Sequence, residues 1–256
     1  MSAPRGFSLL EVMIALLVLA IALTGIATPL ASQVALRRQA DTQRLLDEAR
    51  EALLGFAAMH ARLPCPASAG SRGMESFAPG GSALDGRCER FHDGWLPAAS
   101  LGLLPVDNEG FLRDAWPHGA ASRIRYAVHG NGESLGGVTN ALTRTDGMRN
   151  ATLLALGSAP RYLFICHSAI GATAVDCGPA ANQLTRRAAF VVLSLGPNSQ
   201  RAPLPGTDEA RNQDSTPVFV SRPSDRMGSL DSFDDMLTWA SPAALASRMV
   251  TAGRLP

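Results

Sequence analysis

The chain has 256 residues, room for one large domain or two small ones at roughly 150 residues per domain. Its 23 basic and 22 acidic residues leave a formal charge of +1, which excludes a global field drawing it to nucleic acid or an anionic surface. With 46% hydrophobic and 18% charged residues the composition excludes a disordered chain, while 24 Gly and 17 Pro predict many turns.

The N-terminus sets a short polar start, ending in Arg5 and Gly6, against a long apolar stretch. From Val12 to Leu36 no side chain is charged, a run of 25 residues that makes a helix of about 37 Å and can span a bilayer. Glu11 stands at its border, and a carboxylate deep in a membrane helix costs about 2.5–3.5 kcal/mol. Ten Val, Ile and Leu residues between Val12 and Leu30 contribute about 3–6 kcal/mol toward insertion, so Glu11 cancels half of that or more. Such a carboxylate needs a partner. Two plainer readings stand beside this one: a removable secretory signal, with Ala20-Ile-Ala22 inside the apolar run as its cleavage site, and a permanent anchor.

The segment Gly6-Phe7-Ser-Leu-Leu-Glu11-Val-Met-Ile-Ala-Leu resembles the class III signal peptide of the type IV pilin superfamily: a short polar leader, Gly-Phe, then Glu four positions after Phe. The resemblance implies that a prepilin peptidase cuts between Gly6 and Phe7 on the cytoplasmic face and methylates the Phe7 amine, leaving residues 1–6 as leader. It also implies a partner for Glu11, the N-terminal ammonium of a neighbouring subunit in a filament. The implied partners are other pilins or pseudopilins, the prepilin peptidase and an inner-membrane assembly platform, with the C-terminal part in the periplasm. Arg37, Arg38 and Arg44 lie on the side placed outside, against Arg5 inside, so the motif and not the basic flank sets this orientation.

A helix is expected over residues 7–61, membrane-spanning to about residue 36, with a globular head over 62–256. Gly25 and Pro29 predict a kink in the membrane part. Leu45, Leu46, Ala49, Ala52, Leu53 and Phe56 follow helical spacing on one stripe, while Arg37, Asp41, Arg44, Glu48 and Glu51 fall on another face. Leu63-Pro64-Cys65-Pro66 ends the helix, because proline cannot donate a helical hydrogen bond.

Residues 67–90 read as a Gly- and Ser-rich loop with Cys65 and Cys88 near its ends, and Cys166 and Cys177 flank a second loop. Of the three connectivities open to four cysteines, nearest-neighbour pairing is taken, in an oxidising compartment. Ile124, Tyr126 and Val128 alternate as in a half-buried strand, followed by a turn at His129-Gly-Asn-Gly-Glu133. Residues 162–166 and 189–195 are apolar runs with the character of central strands, and 217–220 a short edge strand. Between 196 and 217 an exposed loop is expected. Ser241-Pro242 predicts a capped helix over 243–250, and Asp231 or Ser232 before Asp234 and Asp235 a helix start. The sum is an α+β fold, a long helix packed on an antiparallel sheet.

Further patches resemble the minor pilins and pseudopilins of that superfamily: residues 54–66, Gly94-Trp-Leu-Pro97, Asp114-Ala-Trp116 with Arg125-Tyr126, and Ser232 to Trp239. Where the familiar middle patch has Asp-Pro-Trp-Gly, this chain has Ala115 and Pro117. Trp95, Trp116 and Trp239 are expected in the core. No Gly-x-Ser-x-Gly, His-Glu-x-x-His, phosphate loop or dinucleotide fingerprint is present, and the cysteines lack zinc-ligand spacing. The expectation is a non-enzymatic subunit without a cofactor. Calcium has candidate oxygen ligands in Asp107-Asn-Glu109 or in Asp231, Asp234 and Asp235.

Overall fold

The computed structural model describes residues 9–159, 161–224 and 232–255, with the side chains of 21–31 and 153 outside the description. The chain divides into two compact units, Met1–Asp41 and Thr42–Pro256. In order the elements are α1 (Leu9–His60), β1 (Gly94–Trp95), α2 (Ala98–Leu101), β2 (Arg125–Val128), β3 (Ser134–Leu135), β4 (Val138–Thr139), α3 (Gly147–Asn150), α4 (Leu153–Ser158), β5 (Leu163–Cys166), β6 (Gln183–Ala188), β7 (Phe190–Ser194), α5 (Asp208–Arg211), β8 (Val218–Val220), β9 (Met236–Ala240) and α6 (Pro242–Thr251). The fold is α+β, an N-terminal helix followed by a mainly antiparallel domain.

Helix α1 runs through Gly25 and Pro29 without interruption. It stops where Ala61 turns to a positive φ of 54°, just before the two prolines. In the unit Thr42–Pro256 its apolar stripe is buried: Leu46, Ala49, Leu53 and Ala57 are fully enclosed, whereas Asp47, Glu48 and Glu51 face solvent.

The central sheet has the order β1-β2-β7-β9 with every neighbouring pair antiparallel. Strand side chains alternate between faces, so one sheet serves two cores. Tyr126, Val128, Phe190 and Val192 pack with the α1 stripe and with Leu245 and Met249 of α6. Ala127, Val191 and Leu193 point the other way and pack with Leu163, Ile165 and Phe219 of a second sheet, ordered β6-β5-β8. Here β5 pairs antiparallel with β6 and parallel with β8. The outer face of that sheet carries a third cluster of Phe164, Cys166, Val218 and Val220, closed by Phe233 and Cys177.

This layering corrects four local expectations. Strand β2 is buried on both faces, not half-buried, because the second sheet covers Ala127. No helix starts at Asp234 and Asp235; they lead into β9, whose backbone finds a full partner in β7. The stretch 196–217 holds α5 and the buried Asn212. That side chain acts as a strand substitute at the edge of β8: its Oδ1 accepts from Val220 N–H at 2.7 Å and its Nδ2 donates to Val220 O at 3.1 Å. Of the three tryptophans only Trp116 is fully enclosed, with Trp95 and Trp239 part-buried. Helix α6 follows its signal, Ser241 accepting from Ala244 N–H with Pro242 at the first helical position.

Candidate functional site

In the unit Met1–Asp41, Gly6 and Phe7 lie outside the described residues, and Glu11 sits in the first turn of α1. A carboxylate there complements the partial positive charge of the helix N-terminus. Around it every described side chain from Leu9 to Ala20 is exposed, Leu10, Met13, Leu16 and Leu17 by 60% or more. A helix apolar all round and exposed all round obtains no burial from its own fold. Among the described residues no helix is long and apolar enough to cross a membrane.

In the unit Thr42–Pro256, Cys65 is joined to Cys88 and Cys166 to Cys177. The first bridge ties the exit of α1 to the far end of the loop 67–87. A pair that sequence spacing does not reveal supports the same exit. Arg62 donates to both Glu75 carboxylate oxygens, at 2.6 and 2.7 Å, and lies over the Phe56 and Phe77 rings. Glu75 also accepts the Cys65 N–H at 3.1 Å. The bidentate geometry and the buried setting make this a rigid joint between helix and loop.

Asp107 and Glu109 converge on Arg123 at 2.7 and 3.0 Å. Asp107 also accepts the N–H groups of Phe111 and Glu109, and these with Arg123 hold its carboxyl below the ordinary range although burial opposes the shift. Asp231 lies outside the described residues. Asp234 and Asp235 instead meet Glu209, a residue 25 positions earlier in the chain, with one oxygen from each of the three within 4.8 Å of the others. Burial, then Glu209, push the Asp234 carboxyl up to about 7. Asp235 rises well above the ordinary value for the same first reason, against the Asn212 hydrogen bond. Sequence reasoning missed Glu209 because nothing local links α5 to the start of β9.

A cleft of about 310 Å³ lies between the turn after β2 and the start of β8, lined by His92, His129, Glu133, Arg161 and Tyr162 among others. Burial holds His129 down to about 4, with His92 adding to the shift, and burial lowers His92 also. Both imidazoles are therefore neutral at pH 7, with the His129 ring 4.7 Å from the Tyr162 ring.

A family model described as a prokaryotic N-terminal methylation motif matches residues 1–27. The match covers the Gly6-Phe7 junction and Glu11, and it supports a type IV pilin-like protein. The motif points to a pilin-type precursor, anchored in a membrane of the cell envelope and processed for assembly with other pilins. No curated protein and no solved structure gives a match.

Proposed function

We propose that the chain is a minor pilin or pseudopilin, a non-enzymatic structural subunit cut by prepilin peptidase and assembled at low copy into a type IV pilus or a type II secretion pseudopilus. The observation that carries this reading is Glu11 within an exposed, apolar first helical segment under an N-terminal methylation motif. A carboxylate is costly in the apolar surroundings of a membrane or a packed helix bundle, and on this reading the methylated Phe7 ammonium of a neighbouring subunit compensates it. The apolar run from Val12 to Leu36 holds the precursor in the inner membrane until extraction, with the unit Thr42–Pro256 in the periplasm, where its disulfides form. The alternative is a signal-anchored envelope enzyme or binding protein that uses the helix only as an anchor, and the cleft at His129 favours attention to it.

The two differ at Glu11. In cells with a prepilin peptidase, intact-mass and peptide analysis is expected to give a chain starting at methylated Phe7. Glu11→Ala is expected to lose copurification with other filament subunits while remaining membrane-bound. A start at Met1 or after Ala22, or unchanged copurification, would remove the subunit reading.

A further inference from the structure

The cleft beside His129 plays no part in the filament reading, and its argument stands whether or not Glu11 is an assembly residue. We propose that it binds a small aliphatic zwitterion, an amino acid or a dipeptide, with the carboxylate at Arg161 and the ammonium at Glu133. Its volume of about 310 Å³ lies at the small end of the range for ligand pockets, about 300–1,000 Å³. The walls come from separate parts of the chain: the turn after β2, the entry to β5, the loop closed by Cys166 and Cys177, and the residues before β8.

At pH 7 the charged side chains of the lining are Arg161 and Glu133, because burial keeps His92 and His129 neutral. Both are exposed, and among the described residues neither side chain makes a hydrogen bond or an ion pair, with the other or elsewhere. Arg161 acts on Asp176 through its field without contact. A free cation and a free carboxylate on one cleft match a molecule that carries both charges, whereas a ligand with one charge leaves the other group unmatched. A second observation points to a ligand. His129 is 5% exposed, and its Nε2 has no hydrogen-bond partner among the described residues. Native folds pair such buried atoms, and a neutral imidazole can donate to a carboxylate or accept from an ammonium. The rim is set before any ligand arrives. Asn131 and Ser215 hold φ of 60° and 63°, left-handed values that a serine adopts at a cost. Ser215 is fixed there by its Oγ, which donates to Asp93 at 2.8 Å, and by its carbonyl, which accepts from the His92 ring. Val175, 53% exposed, and Pro217 give the cleft an apolar side, which selects an aliphatic side chain. Tyr162 is 2% exposed and its hydroxyl donates to Leu156 O at 2.7 Å, so it offers no face on which to stack a sugar ring. Among the described residues His92 and His129 belong to no cluster of metal-ligating side chains, which sets a metal ion aside.

The test is isothermal titration calorimetry of the purified full chain in detergent at neutral pH, with four probes: leucine, leucyl-leucine, isocaproate, which lacks the ammonium, and isoamylamine, which lacks the carboxylate. At least one of the two zwitterions is expected to bind saturably at one site per chain, about tenfold or more tighter than either single-charge analogue. Tighter binding of leucine assigns a free amino acid, and tighter binding of leucyl-leucine assigns a peptide. Glu133→Gln and Arg161→Gln change exposed side chains and are expected to fold as the parent does, with the same unfolding midpoint. The first is expected to lower the zwitterion's affinity to that of isocaproate, the second to that of isoamylamine. No saturable binding of either zwitterion at millimolar concentration would overturn the site. Equal affinity for the single-charge analogues would also overturn it, as would a zwitterion affinity unchanged in both variants.

Discussion

His129 illustrates how a single buried side chain couples this fold to pH. Its buried ring packs 4.7 Å from the Tyr162 ring, and its Nε2 has no hydrogen-bond partner among the described residues. Burial lowers its folded value to about 4 from an unfolded value of 6.5, so between these limits the unfolded chain binds the proton and the native one does not. His129 thus contributes full stability above pH 6.5, lost as pH falls toward 4, by up to about 3 kcal/mol for a shift of that size. Asp234, raised to about 7, works with the opposite sign over much of the same window, because its native carboxyl holds a proton that the unfolded one releases. The pH profile of the parent chain is thus a partial cancellation, and the informative quantity is a difference. Denaturant unfolding of the parent and of His129→Gln at pH 7 and pH 4 is expected to show the gap between them moving by about 2–3 kcal/mol in favour of the variant at low pH. A gap that stays constant would mean that His129 is charged in the native state.

At the level of elements, the exit of α1 is held by three separate devices: the positive φ at Ala61, the Arg62–Glu75 pair and the Cys65–Cys88 bridge. The bridge spans 23 positions and restricts the unfolded chain by about 3 kcal/mol on loop-closure entropy. The double variant Cys65→Ser with Cys88→Ser is expected to unfold roughly 6–12 °C lower than the parent in a calorimetric scan, while keeping the same far-ultraviolet circular dichroism. The first core cluster contains both cysteines, but its other members, from α1, the central sheet and the segments around them, stay in place, as does the second cluster. A loss of native secondary structure at room temperature would show that the bridge is needed to form the loop rather than to tighten it. The second bridge closes the small cluster over β5 and β8, where Phe233 completes the cover.

At the scale of the whole molecule, size decides how such a chain fits a filament. The 195 residues beyond Ala61 would be a large load for one subunit of a filament. In the proposed filament, close helix packing would bring each Glu11 to a neighbouring amine, and folded heads are as incompressible as other protein interiors, so a head on every subunit would compete for the same space. On the proposed subunit reading, low copy number follows. Quantitative mass spectrometry of sheared filaments is expected to find this chain at a few per cent or less of the major subunit. Parity with the major subunit, or a homopolymer grown from the purified mature chain, would contradict the steric limit.

Sequence alone determined what depends on local pattern. The Gly6-Phe7-Glu11 spacing carried the motif that the family model matches, the three-and-four spacing of Leu46, Ala49 and Leu53 defined the buried stripe of α1, and Ser241-Pro242 defined the start of α6. The apolar runs in β5 and β7 were legible because both faces of each strand are covered, so no polar residue interrupts them. Tertiary structure decided what depends on distant partners. Strand β6, with exposed and part-buried residues along most of its length, gains its place from pairing with β5, and β9 gains its own from β7. Asp234 and Asp235 suggest a helix start by composition, and the free backbone edge of β7 draws the following residues into a strand instead. Glu209 joins them because the chain between Gly196 and Pro217 folds back with α5 beside β8, bringing together carboxylates that no local spacing relates.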